Sequence, residues 1–205
     1  MRMPPRIING RFHSPFFIFI KDGSNYSDCD LLEKLGLSNY LPIEGSQQVG
    51  TCLYITEDKE WTHVMDDWHY TLWHMKHLHD KLIDMSLFHD IFTCSVGDID
   101  YSYDFNYYVD GAVVRRYIVQ DSHCDRSKSV VVENLGHPMH GEELAFSCKE
   151  ELDVVISLAE SLGVVIKHDL STIRCYGVPD LNPPRSKKTF SVDKKLGWFR
   201  WMKKS

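Results

Sequence analysis

Aspartates and histidines are the residues of this chain whose spacing allows chemistry. Asp98, Asp100 and Asp104 fall at even positions together with Ser102 and Asn106, and Ile99, Tyr101, Tyr103, Phe105 and Tyr107 fill the odd ones. An extended chain puts the oxygens on one face and the aromatic side chains on the other. Two neighbouring same-face carboxylates such as Asp98 and Asp100 can hold magnesium for phosphoryl or nucleotidyl transfer. His69, His74, His77 and His79 crowd one stretch, and on a helix His74 and His77, at i and i+3, offer two imidazoles to one metal. His123-Cys124 and His137-Pro-Met-His140 are further imidazole sources in loops.

Each pattern stops short of a site. The acidic run has Tyr103 where a calcium loop needs glycine and Val109 where it needs glutamate. No G-x-x-x-x-G-K-[ST] phosphate cradle, H-E-x-x-H pair or G-x-S-x-G elbow occurs. The expectation is therefore a binding surface with no catalytic residues, metal or cofactor. The alternative is a metal-dependent enzyme using Asp98, Asp100 and the helix histidines.

The elements that must carry these residues follow from periodicity. Asp110-Gly111 supplies the two positive φ angles of a type I′ turn, so Asp98–Val119 reads as a β-hairpin. Phe16–Ile20 and Ile91–Val96 are apolar strands. Thr51–Thr56 and Trp61–Met65 form a second hairpin around a polar turn without glycine, and Val130–Val132, Val164–Ile166 and Ile173–Tyr176 are short strands. Pro42 to Gly50 reads as a loop and Leu135–Glu143 as a turn. Three helices are expected. One is capped by Asp28 or Asp30 and ends near Gly36; one runs from Asp66 or Asp67 through Trp68, Leu72, Met75, His79 and Leu82; one runs from Lys149 or Glu150 to Gly163. Hairpin strands with about three packed helices give an α+β fold on an antiparallel sheet.

The chain of 205 residues, 43% hydrophobic and 12% aromatic, is large enough for one well-cored domain. Its six cysteines are dispersed, which fits reduced thiols in a cytoplasmic protein. No apolar run approaches the ~20 residues of a membrane-spanning helix. Charge is unevenly divided. From Asn182 onward eight basic residues face one acid, a net +7, which leaves −13 for the preceding body out of the total of −6. The expected organisation is an α+β domain over 1–181 and a basic aromatic tail over 182–205. The acidic body suits a basic protein and repels nucleic acid. Trp198, Phe199 and Trp201 suit docking of the tail on the body, on a partner or on a membrane surface.

The order of features from Trp61 to Glu143 carries a resemblance. A Trp-Thr-x-Val-x-Asp-Asp segment (Trp61–Asp67) is followed by a helix ending at Ser86 and by Gly-Asp-x-Asp-x-Ser-x-Asp-Phe (Gly97–Phe105). An Asp-Gly turn, Val113-Val114-Arg115-Arg116, Gly136-x-Pro138 and Gly141-Glu142-Glu143 complete it. This resembles bacterial immunity proteins of polymorphic-toxin and type VI secretion systems, small acidic α+β domains. The resemblance implies a cytoplasmic inhibitor that neutralises a cognate toxin by covering its active site. Charge then places the toxin on the acidic face of Asp98, Asp100 and Asp104, extended by Asp66 and Asp67. Tyr108 and Trp61 serve as the aromatic anchors.

Overall fold

The computed structural model describes residues 7–8, 11–43, 49–67, 70–97, 100–121 and 124–179. Trp68, His69, Asp98, Ile99, His123 and the whole of the expected tail lie outside the described residues.

A nine-stranded antiparallel sheet dominates the α+β architecture. In chain order its strands follow the small β1–β2 ribbon (Ile7–Ile8, Arg11–Phe12) and are β3 (Phe16–Lys21), β4 (Leu41–Pro42), β5 (Val49–Glu57), β6 (Trp61–Asp66), β7 (Ile91–Val96), β8 (Tyr103–Val109), β9 (Ala112–Gln120), β10 (Val130–Gly136) and β11 (Arg174–Pro179). In space the order is β10-β9-β8-β7-β3-β6-β5-β11-β4. The uninterrupted apolar run Phe17–Ile20 sits in the middle because only a central strand, covered on both faces, buries every residue of such a run. The helices are α1 (Asp28–Leu35), α2 (Leu78–Met85), α3 (Glu142–Ala145) and α4 (Glu151–Ser161).

The period of two along each strand sorts the core into two layers. Phe17, Phe19, Tyr54, Trp61, Met65, Phe92, Cys94 and Phe105 pack with Ala145 of α3 and with Val155, Leu158 and Ala159 of α4. The opposite parity, Ile18, Ile20, Leu53, Ile55, Val64, Ile91 and Tyr108, packs with Leu31, Leu32 and Leu35 of α1 and Leu78, Leu82 and Met85 of α2. The sheet is therefore covered on both faces.

Two of the expected helices form. Ser27, not an aspartate, caps α1: its Oγ accepts from the Asp30 N–H and donates to the Asp30 carboxylate, and Gly36 ends the helix at φ 81°. Helix α4 ends at Gly163 with φ 93°. The middle helix is a correction. Only Leu78–Met85 is helical, because Tyr70 and His77 take left-handed conformations at φ 57° and 68°. The Asp66 carboxylate accepts from the Leu72 N–H and Asp67 from the Cys52 N–H, so both aspartates bind backbone elsewhere instead of capping a helix.

Other boundaries also move. Strand β8 begins at Tyr103, since Gly97 N–H to Ser102 C=O and Ser102 N–H to the Asp100 carboxylate close a turn before it. Strand β10 runs through Gly136 with a bulge between Val131 and Glu133, and α3 follows where a turn was expected. Leu41–Pro42, at the start of the expected loop, pairs with β11. Residues 164–166 form no strand. The glycine-free turn between β5 and β6 forms because the Asp58 side chain accepts from the N–H groups of Glu60 and Trp61.

Candidate functional site

The even-numbered residues of β8 face the α1–α2 layer, and that layer turns the expected solvent-facing acidic surface into a partly buried polar seam. Ser95 and Thr93 on β7 stand opposite Asp104 and Asn106 and are fully buried. Ser95 Oγ donates to the Asp104 carboxylate in a short contact, and Asn106 Nδ2 approaches Thr93 Oγ1 at 3.4 Å. Further along, Tyr108 Oη meets His79 Nδ1 of α2 at 3.1 Å. Burial raises the pKa of Asp104, against the Ser95 hydrogen bond and the Arg116 charge, which lower it. Burial likewise pushes Tyr108 up to about 12.

At one end the seam opens into a cavity of about 470 Å³. Asp100, Asp104 and Asp121 line it together with Tyr103, Ile118 and Val119, which supply apolar surface, and Trp73. Trp73 is held edge-on by Phe16 and Tyr70 at ring distances of 6.4 and 6.3 Å and remains 40% exposed. Among the described residues the lining contains three carboxylates and no lysine, arginine or histidine. Asp100 accepts from the Ser102 N–H at 3.0 Å and Asp121 from the Tyr101 N–H at 3.3 Å. Backbone hydrogen bonds thus orient both carboxylates. An aromatic flank beside several fixed carboxylates is chemically suited to a cationic side chain, above all a guanidinium.

The expected contact residues divide accordingly. Asp100 and Asp104 line the cavity, and Asp67 is partly exposed at the start of the 67–77 connection. Trp61, Asp66 and Tyr108 are corrections: each is at most 2% exposed and none offers surface to a partner. Trp61 packs in the layer that contains α4, and the alternation of β8 itself turns Tyr108 under α2, where it packs with Leu78, Leu82 and Met85. Asp98 lies outside the described residues.

Trp73 and Asp121 were not singled out by sequence. Turn register alone would have set Tyr101 against Gln120; the bulge at Val114 shifts the pairing by one residue and, carried outward from Tyr103–Val119, brings Asp121 to Tyr101. No sequence signal pointed to Trp73, which arrives through the irregular 70–77 segment.

The histidine pair of the alternative reading is not assembled. His74 and His77 lie in the turns before α2, His79 is engaged by Tyr108, and no cluster of three potential metal ligands occurs among the described residues. No helix among the described residues is long and apolar enough to cross a membrane. No family model, curated protein or solved structure matches the chain.

Proposed function

We propose that the protein is a bacterial cytoplasmic immunity protein: it binds a cognate toxin through its acidic cavity and blocks the toxin's active site. The observation that supports this most is the combination at the cavity of Trp73 with Asp100, Asp104 and Asp121 and, among the described residues, no basic side chain. Such a lining receives an arginine or lysine that a nucleic-acid-cleaving or phosphate-binding toxin presents in its own active site. Desolvating that cation against fixed carboxylates gives both affinity and partner choice. The −13 charge of residues 1–181 adds long-range steering toward a basic surface. The pattern from Trp61 to Glu143 points to the same class of protein.

Co-expression with a candidate toxin tests the proposal. The wild-type chain should rescue growth, and the Asp100→Asn, Asp121→Asn double variant should not: it removes both charges and keeps side-chain oxygens that can accept from the Ser102 and Tyr101 N–H groups, so its far-ultraviolet spectrum should be unchanged. Rescue by the folded double variant at the wild-type level would remove the cavity from the contact.

A further inference from the structure

The two edges of the sheet are built differently. At one edge β4 is two residues long and contains Pro42, which has no N–H to offer an incoming strand. At the other, β10 is seven residues long with no proline or lysine, and among the described residues no strand pairs with its outer side. Its apolar side chains are open on both faces: Val130 is 56% exposed, Val131 50%, Val132 49% and Leu135 54%. The edge is also held firmly from behind. Arg115 on β9 donates to the Asn134 side chain at 2.6 Å and to the Leu135 carbonyl at 2.7 Å, so pairing would not first have to order the strand.

We infer that β10 is a self-association edge, on which a second copy of this chain adds its own β10 antiparallel across a two-fold axis. Two features select a second copy. The valine run is self-complementary: a two-fold near Val131 lays Val130–Val132 of one copy along the same residues of the other and covers apolar surface on both faces. Local charge is favourable in an otherwise acidic body. Lys128 lies just before the run and Glu133 just after it, so antiparallel pairing carries each Lys128 toward the other copy's Glu133. Both already have internal partners, Asp125 at 3.1 Å and Arg116 at 3.0 Å, and the ammonium retains donors for a second carboxylate. The inference does not depend on toxin binding, since β10 contributes no residue to the cavity lining.

Sedimentation velocity on the full chain, without any toxin, tests it. Dimer is expected at about 100 µM, with dissociation on dilution. Val130→Lys with Val132→Lys should sediment as monomer with an unchanged far-ultraviolet spectrum. Hydrogen exchange keeps the test decisive should that variant not fold: amides of 130–136 in the wild type should exchange faster on dilution, while those of β3 stay unchanged. A wild-type monomer at that concentration would overturn the inference, and so would a folded double-lysine variant that remains dimeric or exchange at 130–136 that ignores dilution. A monomer would leave the edge to another occupant, such as the basic tail or a partner's strand.

Discussion

His63 Nδ1 and His168 Nε2 meet at 3.0 Å inside the protein, each ring less than a tenth exposed. The contact belongs to a chain whose proton positions are determined by its ends. The Phe12 N–H donates to His168 Nδ1 at 3.4 Å, so His168 carries its hydrogen on Nε2 and donates to His63. His63 then donates from Nε2 to Asp58 at 3.0 Å. Burial and the neighbouring imidazole lower the His168 pKa to about 4. Burial acts against ionisation of Asp58, but hydrogen bonds from His63, Val165, Glu60 and Trp61 outweigh it and hold the carboxyl well below its usual range. The network ties the β5–β6 turn to β2 and the segment after α4 without any group being left charged and unpaired.

This arrangement has a pH signature of definite sign. Between pH 4 and 6.5 the unfolded chain protonates His168 and the folded one does not, so this residue makes stability rise with pH across that window. Its full span is on the order of 3 kcal/mol. Asp66 acts oppositely. Burial and the Asp67 charge raise its pKa from 3.8 to about 7, so the folded state holds the proton and stability falls as pH rises through that range. Urea midpoints of the wild type should therefore change little from these two groups between pH 4 and 6.5. Asp66→Asn should expose the rising profile and His168→Gln the falling one. Parallel profiles for the two variants would show that neither group titrates as assigned.

Asp110 at φ 52° and Gly111 at φ 74° form the hairpin turn. A β-branched side chain resists positive φ, and a Cβ at Gly111 would come within 2.6 Å of Leu87 Cδ2. Gly111→Val should lower stability by about 1–2 kcal/mol. An unchanged urea midpoint would contradict this account of the turn.

Arg115 and Glu142 are both under 4% exposed and joined twice, at 2.7 and 2.9 Å. Arg115→Met leaves a buried carboxylate without its partner and should cost about 3–5 kcal/mol. Arg115→Met with Glu142→Leu should recover a substantial part of that loss. A double variant no better than the single would assign the cost to the contacts Arg115 makes with Asn134 and Leu135.

If the cavity selects a guanidinium, arginine amide should perturb tryptophan fluorescence at low salt. Trp73→Phe should abolish the change, and added salt should weaken it. An equal response to an uncharged amide would indicate apolar binding alone.

Local sequence determined the elements whose cause is local. The Asp110-Gly111 turn, the Gly36 and Gly163 helix ends, the β5–β6 hairpin and the alternation of β8 all follow from a few adjacent residues acting on their own backbone. Position 106 and its neighbours show where that reasoning stops. Alternation correctly separates Phe105 from Asp104 and Asn106, but it does not say whether the polar side meets water or a second layer of helices. Only the packing of α1 and α2 over the sheet decided that, and it turned the face of Asp104 and Tyr108 into a partly buried seam, with Tyr108 in the core. The same limit applies to Asp66, whose type suits a helix cap. The carboxylate instead accepts from the Leu72 N–H in a connection broken by left-handed Tyr70 and His77. The cavity joins Trp73 to Asp100, Asp104 and Asp121 from three separate stretches of chain. Such a meeting depends on strand order and layer packing, which no single stretch encodes.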